Sequence, residues 1–237
     1  MEKIRDKRVL IVGASGSIGR YTAQMLAGAG AHLFLTGRNK ERLMHTAQAL
    51  QIPEERCFVL DLDDTVGIGK MGQSIHETGP LDILINAAGI GIIKPLEQLS
   101  LDEFSKTLQT NLVAPFLLMK TFLPPMKEAK KGLIINIPGV LGKTPMAGAA
   151  AYAASKYGLN GMMKSIREEL KRTDIRITQL FLGGVDSSFW DTIDLRVQRD
   201  KMIMAEEVGK TIWFLCQQPS SAVVSEMVVQ PFNHQAI

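Results

Sequence analysis

The sequence predicts a single α/β domain built on a doubly wound parallel sheet with helices on both faces. Three observations lead there. Short apolar, β-branched runs recur through the 237 residues, longer stretches of helical periodicity lie between them, and the runs are continuously apolar rather than alternating. A strand with no wet face is covered above and below, which in a βαβ repeat means helices on both sides of a parallel sheet. No Pro/Gly/Ser-rich linker and no shift of composition divides the chain, so residues 1–237 read as one domain.

Taken in order, the strand runs are "RVLIVG" near 8–13, "HLFLTG" near 32–37, "RCFVLDL" near 56–62, "LDILINAAG" near 81–89, "GLIINI" near 132–137 and "IRITQLFLG" near 175–183. A seventh, "EMVVQP" near 226–231, reads as an edge strand followed by a tail. Helices are expected to start near Ile18, Lys40, Asp64, Ser100, Ala150 and Ala205. Pro124 and Pro125 are expected to close the fourth, because neither offers a backbone N–H. The stretch "SSFWDTIDLRVQRDKMIMAEE" predicts a short lid over about 187–204, with Phe189, Trp190 and Met202 as its apolar surface.

Composition narrows the function classes. The chain is 46% hydrophobic and 22% charged, and its formal charge of +3 is scattered without a basic block, which argues against nucleic acid as a partner. No segment reaches the roughly 18 uninterrupted apolar residues of a spanning helix. "MEKIRDKRVLIVG" has neither a long apolar core nor a cleavage site. Cys57 and Cys216 lie far apart in apolar surroundings without metal-ligand spacing, so they read as buried free thiols in a reducing compartment, the cytoplasm, and no metal is expected.

In such a sheet ligands bind beyond the carboxyl ends of the strands, and the distinctive residues lie there. "VGASGSIGRYTAQML" follows the first strand and opens a helix, with Gly13, Gly16 and Gly19 at three-residue spacing and Ser15, Ser17 and Ile18 between them. Glycines permit a tight turn and close approach to a pyrophosphate, which the free N–H groups of the helix start attract, so the domain is expected to be Rossmann-like and to bind a dinucleotide, the alternative being a merely structural turn. The second strand ends "LTGRN". A free ribose diol usually meets an acidic residue here, whereas Gly37 is followed by Arg38, whose guanidinium suits a 2′-phosphate and favours NADP(H) over NAD(H). Alternatively Arg38 is the first exposed residue of a loop. Asp61, with Leu62 beside it, either meets the adenine edge or caps the next helix. In "AAYAASKYGLNGM", Tyr152 and Lys156 stand four apart and share one helical face.

With "NAAG" at 86–89, an Asn within "QTNLVAPF" and "YAASK" in order after these glycines, essentially the whole chain resembles the short-chain dehydrogenase/reductase family. The resemblance implies hydride transfer between a nicotinamide and a carbonyl or alcohol carbon of a small molecule. Tyr152 would give or take the hydroxyl proton. Lys156 would hold the nicotinamide ribose and stabilise the phenolate, because a phenol of ordinary pKa about 10 is a poor base near neutrality. Asn111 would extend a proton relay through water to Lys156, or is a polar residue bonded to backbone. Asn86, Ala87, Ala88 and Gly89 would line the adenine ribose and steady the sheet. In "LGGVDSSF", Gly183 opens the nicotinamide loop, Val185 would present backbone to the carboxamide and Ser187 would lie near a phosphate. Homodimers or homotetramers through helices near 100–123 and 151–171 are implied as well.

The sequence departs from the family pattern at four places. Ala87 stands where Asn is usual, Leu182 where Pro is common, and Ser17 at a typical second glycine. The fourth removes a functional group. The serine that usually donates to the substrate oxygen, thirteen residues before the Tyr, is Gly139 within "NIPGVLGKTP". Loss of one such donor costs about 2.7–4 kcal/mol of transition-state stabilisation. Two function classes follow: an NADP(H)-dependent oxidoreductase that tolerates the loss, with Thr144 as a substitute donor, or a weakened or inactive NADP(H)-binding homologue acting as sensor or partner subunit.

Overall fold

The structure is a computed structural model, and it describes residues 2–232. Its chain order is β1 (Arg8–Val12), α1 (Ser17–Gly28), β2 (His32–Gly37), α2 (Lys40–Ala49), β3 (Cys57–Val59), α3 (Thr65–Glu77), β4 (Ile83–Asn86), α4 (Leu101–Leu108), α5 (Ala114–Glu128), β5 (Gly132–Asn136), α6 (Ala150–Glu169) and β6 (Ile175–Leu182). Two short strands follow, β7 (Val185–Asp186) and β8 (Ile203–Met204), then α7 (Ala205–Cys216) and β9 (Glu226–Val229). The main sheet has the order β3-β2-β1-β4-β5-β6-β9, and every pairing is parallel. The expected tail beyond Phe232 lies outside the described residues.

Continuous apolar strands are buried on both faces, as the run pattern requires. Val9 and Ile11 of β1 pack with Leu26, Val208 and Ile212 on one side of the sheet, while Leu10 and Val12 pack with Ile68, Leu118 and Phe122 on the other. Strand order reverses at β1, whose neighbours are β2 and β4. A crevice therefore opens beyond their carboxyl ends, because the loops leaving β1 and β4 turn to opposite faces.

Helix starts follow local chemistry. Asn39 caps α2 by accepting from the Arg42 N–H, and Ser100 and Glu103 form a reciprocal capping box on α4. The cap on α3 is Asp64, which accepts from the Gly67 N–H at 2.8 Å. Asp61 accepts from Asp63 instead, so the capping alternative for Asp61 falls.

Two expectations need correction. Pro124 and Pro125 lie inside α5, which continues to Glu128. Proline already has a helical φ, so the pair removes the bonds to the Lys120 and Thr121 carbonyls without ending the helix. Cys57 is only half-buried, because β3 is an edge strand, whereas Cys216 on α7 is buried; both are free thiols. Among the described residues no helix is long and apolar enough to cross a membrane.

Candidate active site

One cleft of about 1210 Å³ runs along the carboxyl ends of the strands. Gly13, Ser15, Gly16, Ser17, Ile18, Gly19, Arg38, Asp61, Leu62, Ala87, Ala88, Gly89, Tyr152, Lys156, Gly183, Val185 and Ser187 all line it. Asn86 and Asn111 stand behind its wall. Asn86 is buried in β4 and donates to Asn136 Oδ1 at 3.3 Å, a sheet-steadying position.

At one end lies the glycine turn. Gly13 has φ +87°, and a β-carbon there would lie 2.8 Å from the Ala88 backbone nitrogen, so only glycine meets both demands. The start of α1 carries no side-chain cap, unlike the starts of α2, α3 and α4. Its first N–H groups and its positive dipole end therefore face the cleft, which suits a pyrophosphate. Beside it, a β-carbon on Gly37 would lie 2.5 Å from Ser15 Oγ. A side chain at that position, a carboxylate included, would therefore have to displace Ser15. The exposed Arg38 and Arg42 border the same end of the cleft.

At the other end, α6 presents Tyr152 and Lys156 from one face. Lys156 Nζ lies 5.5 Å from the Tyr152 ring centroid and donates to the Ile137 carbonyl at 3.1 Å. Burial moves both groups toward neutrality: it raises the Tyr152 phenol above its ordinary value and brings the Lys156 ammonium down to about 8. The phenol therefore holds its proton, and Lys156 releases its own far more readily than a surface lysine.

Asn111 sits in a π-helical turn, Gln109–Val113, between α4 and α5. Its amide is fully engaged. Oδ1 accepts from the Ile90 N–H at 2.9 Å, and Nδ2 donates to the Ile90 carbonyl at 2.8 Å and to Ser155 Oγ at 3.0 Å. Ser155 in turn donates to the Tyr152 carbonyl at 2.7 Å. Asn111 thus ties the loop after β4 to the helix bearing Tyr152. Gly89 fills the space between, since a β-carbon there would lie 3.2 Å from Lys156 Nζ and 3.3 Å from Asn111 Oδ1.

The lid is pinned at its base by the β7–β8 pair. Arg199 donates to the Ser187 carbonyl and to Asp191, each at 2.6 Å, and Trp190 Nε1 donates to the Val185 carbonyl at 2.9 Å. Ser187 Oγ accepts from the Phe189 N–H. Phe189 reaches from the lid onto Tyr152, with ring centroids 5.7 Å apart.

The family model for short chain dehydrogenases matches residues 7–197. The chain belongs to that family. A metagenomic short-chain oxidoreductase solved in complex with NADP is 30% identical, with a TM-score of 0.84 over 98% of this chain and 100% of that one. An uncharacterized oxidoreductase of Staphylococcus epidermidis is 29% identical over 234 residues, 98% of this chain and 100% of the relative. An alcohol dehydrogenase from Thermococcus sibiricus, complexed with 5-hydroxy-NADP, shares the fold with a TM-score of 0.89 at 24% identity, over 98% of this chain and 100% of that one.

Gly139 stands beside Tyr152 with φ +69° and ψ 168°. That backbone region belongs essentially to glycine, so the position is shaped for the residue it holds. Thr144 lines the same cleft. Sequence reasoning missed Ser155, although its three-residue spacing from Tyr152 on one helix was a usable signal. It also missed Gly91, Arg199 and the Ile137 carbonyl, which reach the site only through packing.

Proposed function

We propose that this short-chain dehydrogenase is an NADP(H)-dependent oxidoreductase that interconverts a small carbonyl compound and its alcohol. The observation that carries the reading is the partly buried Tyr152 beside the buried Lys156 at one end of a cleft whose other end is an uncapped helix start beside Arg38. The donor set fits the dinucleotide. The free N–H groups of α1 would hold the pyrophosphate, Arg38 the 2′-phosphate, and Lys156 the nicotinamide ribose. When bound, the dinucleotide supplies the hydride.

The chain's own residues manage the proton and the geometry. Tyr152 keeps its proton because burial disfavours the phenolate, so in the reducing direction its hydroxyl donates to the substrate oxygen. Lys156, largely protonated below its pKa of about 8, places a positive charge beside the phenolate that remains. Asn111 fixes the loop over Gly89 against α6, which keeps the two groups aligned. Phe189 of the lid packs its ring against that of Tyr152 at this end of the cleft.

Self-association through α5 and α6 is part of the reading, supported by Phe116 and Tyr157, which are 46% and 43% exposed on those helices. Sedimentation would contradict it by showing a monomer. The activity is tested by NADPH titration together with NADPH oxidation across aldehydes, ketones and diketones. Tight NADPH binding with turnover that disappears in Tyr152→Phe supports the enzyme. Tight binding with no turnover on any carbonyl would assign the chain to the sensor or partner-subunit class instead.

A further inference from the structure

The ring of Phe189 stands in a slot with two fixed walls. Tyr152 forms one, its ring tilted at 57° to that of Phe189. Gly91 forms the other: a β-carbon there would lie 2.7 Å from Cε2 and 3.1 Å from Cε1 of Phe189, and nearer still to Cζ. One aromatic ring therefore fills the space between Gly91, which meets its tip, and the tilted ring of Tyr152. Trp190 meets the same ring edge-on at 5.3 Å. Ile92, Val140, Leu141, Met146 and Met202 are among the apolar residues that line the same cleft.

Phe189 is anchored through its neighbours on the lid rather than through the core. It belongs to a short turn, Ser188–Thr192, and from 187 to 202 Ile193 alone is buried. The ring can leave the slot without unmaking any of the core, and its departure opens the space beside the Tyr152 ring.

We propose that Phe189 keeps the seat of the substrate, and that the substrate is a planar, apolar ring ketone which displaces it and lies between Tyr152 and Gly91. The proposal rests on Tyr152 as the proton donor. A rigid ring enters the slot without losing rotamer freedom, whereas an open-chain ketone of equal carbon number must be ordered to fit. Seated Phe189 competes with either, so apparent affinity falls by the fraction of molecules whose slot is open.

The test uses 1-indanone as the planar ketone and 2-nonanone as the open-chain one, with NADPH present. A Trp213→Phe background leaves Trp190 as the single tryptophan reporter of the slot. In that background 1-indanone should change Trp190 emission saturably, and 2-nonanone much less. Phe189→Ala should lower KM for 1-indanone by about threefold or more, the range that loss of one aromatic pair allows. Gly91→Ala, at a position free of positive φ, should expel Phe189 yet raise KM for 1-indanone by about threefold or more, because the new methyl group narrows the slot. Equal effects of both variants on both ketones would overturn the proposal. So would a Trp190 signal that 1-indanone leaves unmoved. Should neither ketone turn over while 1-indanone still shifts Trp190 and Gly91→Ala abolishes that shift, the seat stands and the hydride-transfer reading fails.

Discussion

A β-carbon on Gly139 would stand 3.9 Å from the Tyr152 hydroxyl and 3.5 Å from the Leu182 carbonyl, so a side chain at this position would start within reach of the hydroxyl. Two effects oppose each other in Gly139→Ser. The new hydroxyl restores a donor, and a residue forced to φ +69° costs about 1–3 kcal/mol of strain. Gly139→Ala carries the strain without the donor. Turnover in the Ser variant is expected to exceed that of the Ala variant, by up to about 10²-fold, and both should unfold at lower urea than the parent. Equal rates in Ser and Ala variants would assign the donor role elsewhere, with Thr144 the first candidate to mutate.

Arg38 is expected to set cofactor choice. Ser15 packs beside Gly37, and no carboxylate stands at that position to grip a ribose diol or repel a 2′-phosphate. NADPH should bind more tightly than NADH, and Arg38→Asp should shrink or reverse the margin. Isothermal titration with both cofactors measures it. Equal dissociation constants in the parent would remove Arg38 from this role.

Tyr152→Phe and Lys156→Ala should separate chemistry from binding. The first removes the proton donor and is expected to abolish carbonyl reduction with little change in NADPH affinity. The second should damage both turnover and affinity. Parent-level turnover in the Phe variant would exclude Tyr152 as acid/base.

Stability should carry the signature of buried Lys156. Folding lowers its pKa from 10.5 to about 8, so between those values the unfolded chain binds a proton that the folded chain has released. Stability from this group therefore rises with pH across that window, by on the order of 3 kcal/mol in full. Tyr152 acts in the opposite sense above its ordinary value of 10, where the folded phenol keeps a proton that the unfolded one loses. Urea midpoints at about pH 7.5 and 9.5 should rise in the parent relative to Lys156→Met. A difference that does not change with pH would show that Lys156 titrates normally.

Much of this architecture was written locally. Each strand of the main sheet declares itself by a run of apolar residues, because burial of the inner strands on both faces leaves no polar alternation, and the glycines at 13, 16 and 19 mark a turn that only small residues can make; the short β7–β8 pair has no such run. Tyr152 and Lys156 share a face because four residues advance a helix by about one turn. Such features depend on intervals inside one element, so the sequence by itself determined them. Tertiary structure decided the rest. Asn111 meets Ile90 and Ser155 only after α4, α5 and α6 have packed, and its π-helical turn has no local marker. Phe189 reads as generic lid surface until folding sets it between Tyr152 and Gly91. Ser15 packs beside Gly37 only because β1 and β2 are neighbours. These relations join residues whose separation along the chain carries no information about their distance in space, and packing alone supplies it.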